Sequence, residues 1–214
     1  MTNTIPEEQP GDVADRVARR TLAEREAVYA SEVRRLLDAA LDVMRARGTA
    51  SRPRVADIVA AAGLSNEAFY RHFPSKDALV AALLEDGAGR LRSYLEHQLT
   101  TKARGPEQQV RRWIEGVLSQ SDDDIAATTR AVLWNGGSAG PESSGRHFAS
   151  ASVGALLREP LAQLGSTDPE LDASLVAHAV FGRLTDALWE ESQPTRAEID
   201  HLVAFTLAAI SRSA

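Results

Sequence analysis

Asn66, Glu67 and Arg71 lie within six residues of one another, on a stretch from Ser65 to Phe73 with the length of a two-turn helix. Their side chains carry the donor and acceptor sets that read base edges. Asparagine pairs with adenine, arginine with guanine, and glutamate accepts from the cytosine amino group. Around them stand groups suited to phosphate oxygens: Tyr70, His72 and Lys76, with Arg54 at the start of the preceding segment; Ser65, at the helix entry, is counted with the DNA-binding set. No comparable set points to catalysis. Gly136-Gly-Ser-Ala-Gly140 matches the G-x-S-x-G pattern of a hydrolase nucleophile elbow, but that device needs a strand before it and a helix directly after. Here a helical pattern precedes and a Pro/Ser loop follows, so Ser138 is read as accidental. His72, His97, His147, His178 and His201 show no metal-ligand spacing, and cysteine is absent, which excludes disulfides and thiolate sites. No metal and no cofactor are expected.

The elements that must hold this set read as helices throughout. No run of alternating β-branched residues occurs, so the fold class is all-α. Asp12 is placed to cap a helix through Val13, Val17 and Leu22. It leads into an amphipathic helix with Val33, Leu36, Leu37, Ala40, Leu41 and Met44 on one face, ended by Gly48. A short helix follows over 54–62, with Gly63 as a left-handed C-cap, and Ser65 caps a second one over 66–73. Two short helices about a glycine turn are the helix-turn-helix signature, in which the second helix enters the major groove and the first braces it. Phe69 and Phe73, four apart, are expected as core anchors and not as stacking platforms. Pro74 ends that helix, and Ser75 starts another with Leu79, Val80, Leu83 and Leu84 inward.

Beyond Gly87 and Gly89 the helical pattern resumes. Helices are expected from Pro106, after Asp122 to Asp124, over 146–164, from Pro169 behind Asp168, and from Arg196 behind the capping box Thr195 to Glu198. The domains are therefore drawn as 1–30, an extension disordered at first and then helical; 31–87, the DNA-binding domain with its motif at 54–73; and 88–214, a second helical domain.

Charge sharpens the division. The whole chain carries −6, which argues against a polyanionic partner, yet residues 34–76 hold eight basic side chains against four acids, and residues 77–214 hold twelve against nineteen. A basic module joined to an acidic one fits one part that meets phosphates and another that does not. The longest nearly apolar stretch, 202–210, is far shorter than the roughly 20 residues a membrane span requires. The start of the chain lacks a signal-peptide pattern. A soluble, cytoplasmic protein is expected.

The run Phe69-Tyr-Arg-His-Phe-Pro-Ser-Lys76, within Gly63 to Val80, resembles the tetracycline-repressor (TetR) family of bacterial regulators, and the resemblance extends over about 33–85. It implies a three-helix DNA-binding domain, a larger helical ligand-binding domain, and a homodimer built through the last two helices. It also implies that Tyr70, His72 and Lys76 touch phosphates. Where the family commonly has Lys-Gly-Thr, this chain has Asn66-Glu67-Ala68. Two roles are open for Glu67: reading a cytosine, or favouring the helix N-terminus while disfavouring wrong operators. The extension carries Arg16, Arg19, Arg20 and Arg25, which either reach further phosphates or form a solvated face with Glu24 and Glu26. In the larger domain Trp113, Trp134, Phe148 and His178 are the candidates for lining a small-molecule pocket, against the alternative of plain core or interface packing. The expected function is a repressor that binds a palindromic double-stranded operator as a dimer and is released by a small-molecule effector. The alternative is a helical protein-interaction module that does not read DNA.

Overall fold

Residues 10–47 are rich in alanine, arginine and leucine, all strong helix formers, and they make a single helix, α1 (Pro10–Arg47). In the computed structural model, which describes residues 10–136 and 150–211, nothing interrupts α1 near residue 30, and Asp12 lies inside it instead of capping it. Residues 13–31 of α1 are all exposed, whereas Leu36, Ala40 and Met44 are fully buried. Gly48, at φ 55°, ends the helix in the left-handed conformation that glycine adopts without a Cβ clash. Short α2 (Val55–Ala62) and α3 (Asn66–His72) follow, then α4 (Lys76–Thr101), α5 (Pro106–Leu118) and α6 (Asp123–Asn135). Ser138, His147 and Phe148 fall outside the described residues. Residues 150–154 are helical and run through a 3-10 turn, Ala155–Leu157, into α7 (Arg158–Gln163). Two long helices, α8 (Pro169–Glu190) and α9 (Arg196–Ser211), complete the fold. Among the described residues there is no strand, and no helix is long and apolar enough to cross a membrane.

The starts of these helices follow their local chemistry. Ser75 Oγ accepts from the Ala78 amide at 3.0 Å, and Asp168 accepts from the Leu171 amide at 3.0 Å with Pro169 in the first turn. Glu198 accepts from the Thr195 amide at 2.8 Å while Thr195 Oγ1 accepts from the Glu198 amide at 3.3 Å. Each bond satisfies an amide that has no partner within its helix.

Two apolar cores result. The smaller joins Leu36, Ala40 and Met44 of α1 to Ile58 and Val59 of α2, Phe69 and Phe73 around α3, and Leu79, Val80 and Leu83 of α4. Phe69 is completely buried and its ring lies 5.9 Å from that of Phe73, as core anchors should. The larger core gathers Leu91, Leu95 and Leu99 of α4 with Trp113 and Ile114 of α5, Leu157, Leu161, and the inner faces of α8 and α9.

α4 therefore enters both cores, running unbroken through Gly87 and Gly89 where a break was expected. Each glycine weakens a helix by about 1 kcal/mol relative to alanine, but an apolar face continuing from Leu83 through Ala88 to Leu91 and Leu95 outweighs that at ~1.5–3 kcal/mol per buried large side chain. The residue-87 boundary drawn from sequence thus falls within one helix. Nor is the smaller core contiguous in sequence, since Ala131 and Val132 of α6 complete it.

Candidate nucleic-acid interface

The turn between α2 and α3 is built first from backbone. Gly63 takes φ 63°, its amide bonds to Ala60 O at 3.2 Å, and the Leu64 amide reaches back to Val59 O at 2.9 Å. This pairing is the Schellman closure, and Leu64 and Val59 both pack into the smaller core beneath it. Arg35 of α1 then adds a tie that crosses the fold, donating from Nη2 to Ala62 O at 2.6 Å and to Gly63 O at 3.1 Å. A guanidinium on the last carbonyls of a helix satisfies acceptors that have no partner within it and suits the negative end of its dipole. On the far side Ser65 Oγ accepts from the Ala68 amide at 3.1 Å and starts α3.

At the entry to α2, the Arg54 amide donates to Asp57 at 2.8 Å, and Arg47 from the end of α1 pairs with the same carboxylate at 3.0 Å. The backbone bond first, and the Arg47 charge beside it, hold the Asp57 carboxyl below the usual carboxylate range. The Arg54 side chain is left exposed at the helix start.

On α3 itself Asn66, Glu67, Tyr70 and Arg71 are all exposed, Tyr70 lying edge-on to Phe69 with 5.2 Å between ring centroids. Lys76 is half-buried at the start of α4 with Nζ 3.5 Å from Pro53 O. Burial, and the charge of Arg52 nearby, lower the pKa of its ammonium. Two cations that repel each other at the surface of the smaller core's helices, the reading head, are a favourable seat for an anion.

His72 departs from the expectation of a phosphate contact. Its side chain is completely buried, with Nε2 2.6 Å from Glu32 Oε2 of α1 and its ring edge-on to Tyr29 at 4.3 Å. Because an ionised carboxylate only accepts, Nε2 carries the donated proton. Nδ1 is buried without a hydrogen-bond partner. The last turn of α3 points this residue back at α1, away from the surface where a phosphate would lie. Arg71, the next residue back, donates to the same Glu32 oxygen at 2.8 Å while its side chain stays half-exposed.

A second feature lies between the cores. A cavity of about 1050 Å³ is walled by α4, α6 and α8, with Leu84, Leu91, Ile125, Thr128, Leu133 and Phe181 among its lining. His178 lines it too, exposed and with Nδ1 2.6 Å from Ser174 O of its own helix. The tryptophans do not belong to that wall. Trp113 is completely buried in the larger core and donates from Nε1 to Val153 O at 3.0 Å. Trp134 faces outward, packed edge-on against Trp189 at 6.2 Å with the Arg52 guanidinium 5.7 Å from its ring centroid. A tryptophan buries well only where its N–H finds an acceptor or reaches the surface, and these two take one solution each.

Glu32, Arg35 and Arg52 were missed as structural ties by reading the sequence. The signal for Glu32 was present: it precedes Leu36 and Ala40 by one and two helical turns, so an acid occupies the core-facing stripe of α1 and requires a partner.

Comparison with known proteins converges on one group. The family model described as bacterial regulatory proteins, tetR family, matches residues 36–83. An uncharacterised HTH-type transcriptional regulator, YdgC of Bacillus subtilis, is 30% identical over 154 residues, covering 71% of this chain and 76% of its own. Among solved structures, a transcriptional regulator from Rhodococcus sp. Rha1 superposes with a TM-score of 0.61 at 22% identity, over 84% of this chain and 96% of that one. The transcriptional regulator FadR from Bacillus subtilis, in complex with stearoyl-CoA, superposes with a TM-score of 0.57 at 18% identity, over 84% and 98%.

Proposed function

This chain belongs to the tetR family of bacterial regulatory proteins, a DNA-binding regulator by that membership, and from that premise we propose that it is a cytoplasmic repressor that leaves its operator when a small molecule fills the cavity. Two copies, joined through α8 and α9, set two α3 helices in successive major grooves of a palindromic site. The more than half-exposed Leu171 and Leu175 of α8 and Phe205 of α9 support that pairing, since such apolar surface favours burial against a like face. Asn66, Glu67 and Arg71 serve as the base-facing set, and Arg54, Ser65, Tyr70 and Lys76 meet the backbone.

One observation carries the release step. Leu83 of α4 and Val132 of α6 belong to the core of the reading head and also line the cavity, so an occupant presses on side chains that hold the head in place. An effector shifts the population only by its difference in affinity for the two head positions, and this shared wall supplies a physical source for that difference. The stearoyl-CoA held by FadR supports the reading that this architecture accommodates a small molecule.

Selection of bound duplexes from a random pool tests the readout. A palindrome is expected, with affinity falling steeply as salt rises; a protein that retains no duplex refutes it. Ile125→Trp, which places bulk in the cavity without any ligand, should lower operator affinity while leaving helicity unchanged. Unchanged affinity would count against the shared-wall mechanism.

A further inference from the structure

One oxygen of Glu32 receives two neighbours from the far side of the head: Arg71 Nη2 at 2.8 Å and His72 Nε2 at 2.6 Å. Consecutive residues on a helix project about 100° apart. A single acceptor that holds both therefore fixes the rotation of the last turn of α3 about its own axis. The surroundings are those of a built contact: the Glu32 side chain is only 21% exposed and that of His72 is not exposed at all. Tyr29, one turn earlier on α1, closes the ring of His72 from its edge.

Arg71 stands at the open end of this arrangement, with 52% of its side chain exposed. Its guanidinium has five N–H donors, and the bond to Glu32 engages Nη2 alone, so the outward edge stays available for the bidentate contact by which arginine reads guanine. An arginine without such a tether distributes itself over many rotamers and finds phosphates as readily as bases.

We propose that Glu32 is a positioning residue for base readout: its Oε2 clamps Arg71 and His72 to α1, and so aims Arg71 at a base edge. The proposal rests on α3 being the recognition helix, and it adds a selectivity determinant on α1, outside the helix-turn-helix. His72 acts as the buried half of the clamp and Arg71 as the half that touches DNA.

The test compares the full-length protein with Glu32→Ala, Glu32→Gln, Arg71→Ala and the Glu32→Ala/Arg71→Ala double variant, each by duplex selection and by binding to the selected and to a scrambled duplex. Wild type that selects no site overturns the recognition-helix reading itself, before Glu32 is at issue. Given a selected site, Glu32→Ala should flatten preference at the same base pair that Arg71→Ala flattens, lowering affinity for the selected duplex about tenfold. Affinity for the scrambled duplex should stay within about threefold, because the phosphate contacts are untouched. The double variant should lose no more than Arg71→Ala alone, since both remove one contact. Glu32→Gln keeps the shape and one acceptor, and should fall between wild type and Glu32→Ala; it covers the case in which the alanine variant unfolds.

Three results overturn the proposal. An unchanged preference in folded Glu32→Ala or Glu32→Gln means that Arg71 needs no aiming. Additive losses in the double variant mean that the two residues act independently. Tighter binding of every duplex by Glu32→Ala means that the carboxylate competes with DNA for Arg71.

Discussion

Replacing Gly63 by alanine should destabilise the protein by about 2 kcal/mol, through two separable causes. The first is conformational: at φ 63° a Cβ meets the following carbonyl, which costs roughly 1–2 kcal/mol for an L-residue. The second is a contact, because a Cβ built at this position would lie 3.1 Å from Arg35 Nη2. The guanidinium is the end of a flexible side chain and yields by a few tenths of an ångström. Its bonds to Ala62 O and Gly63 O are thereby weakened but not lost, and about 0.5 kcal/mol out of the ~1.5–3 kcal/mol of a charged hydrogen bond is the expected share. For a chain of this size the sum lowers Tm by roughly 4–8 °C. Thermal unfolding followed by circular dichroism measures it, on Gly63→Ala and Gly63→Asn in both the wild-type and the Arg35→Ala backgrounds. Asparagine tolerates the left-handed region, so Gly63→Asn should recover most of the first cause. The contact share should vanish in the Arg35→Ala background. A Gly63→Ala protein that melts within about 1 °C of wild type would refute the conformational argument. An equal cost in both backgrounds would refute the contact.

Two further outcomes follow from packing and charge. Gly154→Ala should cost about 1–3 kcal/mol, because its Cβ would lie 2.8 Å from the Cβ of Ala177, which α8 holds in place; Gly89→Ala, with open space around it, should gain about 0.5–1 kcal/mol, and paired urea titrations compare the two. The Glu198 carboxyl is held down to about 2 from 4.5, first by the Thr195 amide, then by the Thr195 hydroxyl and Arg183. A lowered folded pKa contributes stability above 4.5 and loses it as pH falls toward 2, so the Tm gap between wild type and Glu198→Gln should be full at pH 7 and close across that window. Arg183 faces Glu190 at 3.7 Å as well as Glu198 at 3.0 Å, and a gap that is undiminished when the pH reaches about 2 would show that the ionised form of Glu198 is not what stabilises α9.

Much of the reading head was legible because its signals are local. Gly63 and the serines at 65 and 75 act on amides or carbonyls within a few positions, and Phe69 with Phe73 needs only helical spacing to declare a buried face. Asp168 and the box at Thr195 to Glu198 are of the same kind. What escaped was long-range or cumulative. His72 looked like a surface histidine because its partner Glu32 lies forty positions away, and the apolar stripe around Glu32 calls for a partner without naming which. The continuity of α4 through two glycines depends on burial summed along its length, which local breaker rules do not count. Trp113 and Trp134 carry equal weight as bulky residues in the sequence; only the fold decides that one is sealed inside and the other stands outside against Trp189.

Ala131 and Val132 seal the smaller core from α6, far along the chain from the helices they cover. A chimaera made by cutting at residue 87 would therefore sever α4 in mid-course and strip the transplanted head of the lid over its own interior. The portable unit is two separate stretches of chain, and a designer who exchanges specificities between such regulators must move the tip of α6 together with the head, or re-engineer the apolar surface that its removal leaves bare.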